Sequence, residues 1–125
     1  MDEEQIVEFE TLKAKLEGLY QEALTLSKKS PSDAFNKFKL RITNSVLVAS
    51  NKLILETIGE LPVDGFEQFD DTDLPVNSDV VFVLAQYLEF LENFRGAQIQ
   101  PYGNHWYWYI DRQRSSIRTA APRKL

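Results

Sequence analysis

The apolar residues of this chain recur at a helical period in three runs between Ile6 and Phe94, then alternate at His105-Trp106-Tyr107-Trp108-Tyr109-Ile110. Spacings of three and four residues place side chains along one side of a helix. A two-residue repeat divides them between the faces of a sheet. The order predicts an α+β, helix-dominated fold: a three-helix, bundle-like core, a C-terminal β-hairpin and a basic tail. The 125 residues suit a single domain spanning 1–125, long enough to bury a core without covalent staples.

The first helix is expected from about residue 3 to residue 27. Phe9, Leu12, Leu16, Leu19, Ala23 and Leu26 form its seam, with acids before it and Lys28 and Lys29 after it, matching the helix dipole. Ser30-Pro31-Ser32-Asp33 then reads as an N-cap, a proline at the first helical position and a capping-box acid. The second helix should run from there to about residue 58, with Gly59 beyond its end. It carries two apolar stripes. Phe35, Phe38, Ile42, Val46, Ala49 and Leu53 make one, and Leu40, Leu47, Ile54 and Ile58 the other. A helix apolar on two sides packs on two sides, so this one is expected at the centre, and its Asn44, Ser45, Ser50 and Asn51 then need partners. Asn77-Ser78-Asp79 is expected to cap a third helix ending near residue 94 or 95, before Gly96.

Residues 59–77 hold two prolines, two glycines and clustered acids, which forbid a long regular element. Val63, Phe66, Phe69 and Leu74 are too apolar for a free linker, so an ordered acidic loop pinned to the core is expected. Loops this long in small domains are often functional. After the third helix, residues 97–100 form a short strand candidate, residues 101–104 a turn, and His105 to Ile110 a strand with the tryptophans on one face and Tyr107 and Tyr109 on the other. Residues 111–125 are basic and read as a tail.

Charge is distributed in blocks. Residues 28–52 and 95–125 each sum to +5, whereas residues 53–94 carry ten acids and no base, within a net charge of −5. Neutralisation between segments of one molecule is the ordinary explanation. The alternative is a negative surface that attracts a basic partner. No run of apolar residues is long enough to span a membrane. An acidic start and the absence of cysteine fit a cytoplasmic protein.

Catalytic chemistry finds little support. Acyl-transfer sites need a nucleophile beside a base. Here there is no cysteine, a single histidine (His105), and no serine in a nucleophile-elbow pattern. Asp70-Asp71-Thr72-Asp73 offers hard oxygen ligands but lacks the calcium-loop spacing, and the scattered glycines cradle no phosphate. The chain is expected not to be an enzyme and to need no metal or cofactor. A metal-assisted hydrolase using the aspartates with His105 is the least favoured alternative.

Tyrosine, tryptophan and arginine dominate binding hot spots. The expected function is therefore protein binding, as a small regulatory, inhibitory or accessory subunit of a larger complex. Trp106, Tyr107, Trp108, Tyr109, Arg112, Arg114 and Arg118 form the expected contact, and Asp64, Glu67, Asp70, Asp71 and Asp73 a secondary acidic surface for a basic partner. A homodimer joining acidic loop to basic tail is a further expectation. Nucleic acid is the less favoured partner. Lys37, Arg41, Lys52 and the C-terminal basic residues, Lys124 among them, suit phosphate contacts, but the sequence pI near 4.9 opposes them. In a variant of that alternative, the acidic loop mimics nucleic acid.

Overall fold

Residues 1–123 are described by a computed structural model. Asp2 starts the first helix, α1 (Glu3–Lys29), through a capping box: its carboxylate accepts the Gln5 N–H at 2.8 Å, and the Gln5 side chain accepts the Asp2 N–H at 3.0 Å. Along α1, Ile6, Phe9, Leu12, Leu16 and Ala23 are buried. The helix lies against both α2 (Lys37–Thr57) and α3 (Asn77–Gln98), so α1 rather than α2 is central. The two-stripe reading of α2 holds only in part, because the stripe that begins at Phe35 is buried at Phe35 and Leu53, half-buried at Val46 and Ala49, and open elsewhere. Leu40, Leu47 and Ile54 are buried, while Phe38 and Ile42 of the other stripe are 69% and 45% exposed.

The loop between α2 and α3 is bound to α2. Asn44 acts as a backbone mimic: its Nδ2 donates to the Phe69 carbonyl and its Oδ1 accepts the Phe69 N–H, both at 2.9 Å. Asn51 donates to the Glu67 carbonyl at 2.8 Å and accepts the Tyr87 hydroxyl at 2.7 Å. Burial pushes the Tyr87 phenol above its ordinary pKa against the lowering effect of the Asn51 hydrogen bond, and the Glu67 charge adds to the rise. Phe66 meets Phe69 edge-on at 5.0 Å, and Val63 and Leu74 pack on the core. Asn44→Ala should remove about 2 kcal/mol of stability by leaving two partly buried backbone groups unpaired. Urea unfolding reads the loss. Unchanged hydrogen-exchange protection of the Phe69 amide would contradict it.

Helix boundaries differ from expectation where distant chain segments pair. Ser30 ends α1, its N–H donating to the Leu26 carbonyl, rather than starting α2. Asn36 caps α2, accepting the Lys39 N–H at 3.0 Å. The residues between are used to pair with the entrance of α3: Phe35 N–H donates to the Pro75 carbonyl and Asn77 N–H to the Asp33 carbonyl. Asn77 is not the cap of α3; its side chain donates to the Ser30 carbonyl at 2.8 Å. Helix α3 also runs through Gly96 to Gln98 and enters β1 (Ile99–Tyr102) directly.

The expected hairpin is a three-stranded antiparallel sheet, ordered β1-β2-β3. Tyr102 pairs with His105 across a two-residue turn in which Gly103 adopts φ 60°, the left-handed backbone such turns require. Strand β2 is His105–Ile110. The expected tail is largely a third strand, β3 (Gln113–Thr119), paired with β2. Its alternation is hidden in the sequence because the inward positions Ser115, Ile117 and Thr119 are mostly small and polar. Lys124 and Leu125, the end of that tail, lie outside the described residues. No helix of the described residues is long and apolar enough to cross a membrane.

Candidate functional site

The aromatic strand has one face against the helices and one without a helical cover. Trp108 is inward, 1% exposed, with its ring edge-on to Phe9 at 5.2 Å. Its indole N–H donates to Glu10 of α1 at 2.7 Å. Trp106 is half-buried on the same face, packed on the core. Trp108 is therefore a core residue and not part of a contact surface, and Trp106 largely shares that role. A buried indole needs both an apolar cavity and an acceptor, and α1 supplies both.

An ionic network secures this inner face. Arg95 and Glu92 on α3 are 2% and 4% exposed. Arg95 binds both Glu92 oxygens, at 2.7 Å from Nε and 2.6 Å from Nη2, and donates onward to Thr119 Oγ1 at 2.8 Å and the Ala120 carbonyl at 2.7 Å. Thr119 in turn donates to the Glu10 carboxylate that holds Trp108. The network thus links α3, β3, α1 and β2. Burial pushes the Glu92 carboxyl up. The Arg95 hydrogen bond and charge, then the Lys13 charge and a backbone bond from Arg123, outweigh burial and hold it below the ordinary glutamate value. Sequence reading missed Arg95 and Glu92. The signal was an arginine directly after Phe94 at the apolar end of α3.

The outer face collects most of the remaining expected residues. Cross-strand register places Tyr107 opposite Arg118 and Tyr109 opposite Arg114. The Arg114 guanidinium lies 4.1 Å from the Tyr102 ring centroid and 5.0 Å from that of Tyr107, and the two rings meet edge-on at 6.3 Å. Arg118 bonds His105 Nδ1 at 2.7 Å, so the single histidine belongs to this face. Tyr102, 57% exposed, ends β1 rather than lying in the expected turn and is a principal member of this face. Arg112 stands exposed in the β2–β3 turn with φ 67°, beside Asp111 at φ 48°. A side chain in that left-handed region costs roughly 1–2 kcal/mol, which glycine would avoid. None of the outward strand residues is acidic.

The acidic surface is separate. Asp64, Glu67, Asp70, Asp71 and Asp73 are all exposed on the loop held by α2. Asp70 closes a local turn, accepting the Thr72 N–H at 2.8 Å and its hydroxyl at 2.7 Å, and these bonds lower its pKa. Among the described residues no ion pair joins the loop to the C-terminal arginines; Arg123 pairs instead with Glu17 at 2.8 Å. His105 lies on the sheet, in a hydrogen bond with Arg118, and no group of three or more metal-ligating side chains forms among the described residues. A groove of about 610 Å³ runs between α1 and α3, but at its floor Lys13 is already paired with Glu17 at 2.8 Å and Glu92 at 3.6 Å. No protein-family model matches the chain, nor does any curated protein or solved structure.

Proposed function

We propose that this chain is a protein-binding module, a cytoplasmic accessory or regulatory subunit without catalytic chemistry of its own, which docks through the outer face of its C-terminal sheet. The observation that carries this reading is the stack of exposed Tyr102 and Arg114 on half-buried Tyr107, extended by half-buried Tyr109 and exposed Arg112 and Arg118. Stacking on two rings pre-orders the guanidinium, so less side-chain entropy is lost when a partner arrives. An arginine at a left-handed turn position that glycine would fill at lower cost points the same way. The lack of acid among the outward strand residues suits a partner segment rich in carboxylates or aromatics. The loop aspartates and Glu67 offer a second contact to a basic region of the partner.

The same arrangement of aromatics and arginines on an open sheet is one that single-stranded nucleic acid uses, which gives the second reading. Affinity capture from host lysate, with and without nuclease, separates the two. The protein-binding reading expects a stoichiometric partner that survives nuclease. Replacing Tyr107, Tyr109, Arg112 and Arg114 together by alanine should lower its recovery at least about tenfold, since hot-spot truncations each remove about 2 kcal/mol or more. Unchanged recovery by the folded variant would place the contact elsewhere. Capture that vanishes with nuclease would favour nucleic acid.

A further inference from the structure

The helices leave another surface uncovered. A groove of about 650 Å³ runs between α1 and α2, floored by Gly18, Leu19, Ile42 and Val46 and rimmed by Lys15 and Arg41. Phe38, one helical turn before Ile42 on α2, is 69% exposed. A side chain at Gly18 would meet nothing within 4 Å, so the space above that part of the floor is open. The groove is lined by two cations and no carboxylate, in a chain whose net charge is −5. Lys37 and Lys52 lie on the same helix, and Lys39 is already paired with Glu22.

These features select among occupants. Two copies joined groove to groove would set Arg41 and Lys15 against like charges, which opposes association. A second copy presenting its acidic loop brings carboxylates but no free apolar face, because Val63, Phe66, Phe69 and Leu74 of that loop are packed on their own core. An apolar channel between two helices with cationic borders fits an amphipathic helix whose flanks are acidic. We propose that the α1–α2 groove receives such a helix from a partner protein, its apolar residues lying over Leu19, Ile42 and Val46 and its carboxylates meeting Lys15 and Arg41. The proposal rests on reading the chain as a binding module but uses a surface distinct from the sheet.

The test uses the purified full chain and a synthetic helical peptide of about 18 residues, with leucines at spacings of three and four and glutamate on its other faces. A matched peptide carries lysine in place of glutamate. Amide chemical shifts report the site. The expected result is saturable binding with shifts confined to the groove and roughly tenfold tighter affinity for the glutamate peptide, as two partly desolvated ion pairs would give. Lys15→Glu with Arg41→Glu, both at exposed positions, should reverse that order. Absence of binding, equal affinity for both peptides, or shifts on the sheet would overturn the proposal. So would self-association of the chain alone through these residues, or the same shifts with phosphatidylglycerol vesicles. The four-alanine sheet variant should bind the peptide normally, so failure here and failure of the sheet reading are distinguishable.

Discussion

Arg95→Ala will lower the unfolding free energy by about 3–5 kcal/mol, the usual cost of removing one partner from a buried ion pair. That is a large share of the roughly 5–15 kcal/mol that holds a domain together. The reason is what remains behind. Glu92, 4% exposed, keeps Lys13 at 3.6 Å and the backbone bond from Arg123 but loses its bidentate partner, while Thr119 Oγ1 and the Ala120 carbonyl lose their donor. Hydrogen exchange should rise first in β3, whose end Arg95 holds. Replacing Arg95 and Glu92 together by methionine should recover much of the loss, because an apolar pair has no charge to desolvate. A loss below about 1 kcal/mol for the single variant would mean the pair behaves as a solvent-screened surface pair.

Acid titration adds a second readout of the same contact. The folded pKa of Glu92 lies below its unfolded value, so its contribution to stability is fully present above the ordinary glutamate range. It is lost as pH falls through the depressed folded value. Without Arg95, burial dominates, and the folded carboxyl should rise above its unfolded value. The variant would then gain stability relative to the wild type on acidification, and the difference between them should narrow. Denaturant unfolding at neutral and acidic pH measures this directly.

Trp108→Ala should also cost about 3–5 kcal/mol, the range for emptying a large aromatic site in a core. The substitution removes the edge-on contact with Phe9 at 5.2 Å and the 2.7 Å donor to Glu10. Trp108→Phe keeps an aromatic ring against Phe9 but not the donor, and should cost less, about 1–2 kcal/mol. In a Trp106→Phe background, the remaining indole should emit to the blue and resist acrylamide quenching. Ready quenching, or a loss under about 1 kcal/mol for Trp108→Ala, would show that Trp108 is not the core residue described.

The chain's own pattern determined much of this fold. Helical spacing in α1 and α3 and the separation of tryptophan from tyrosine on β2 are local properties, because a regular backbone repeat fixes which side chains share a face. The pinning residues of the loop were legible for a different reason: four large apolar groups in an acidic segment need burial. Most of the candidate site was legible too, in Tyr107, Tyr109, Arg112, Arg114 and Arg118. Tertiary structure decided the remainder. Both faces of β2 are aromatic, so only the Phe9 ring and the Glu10 carboxylate on α1 select the tryptophan face for the core. Strand β3 exists because β2 offers it an edge; its own residues, Gln-Arg-Ser-Ser-Ile-Arg-Thr, carry almost no apolar signal. Tyr102 joined the site only when that pairing brought Arg114 over it, and Arg95 found its partners 24 to 26 residues away in Thr119, Ala120 and Ala121. Periodicity records which residues lie together on one element. Which polar groups are satisfied, and which surfaces are covered, depends on segments that meet only after the chain has folded.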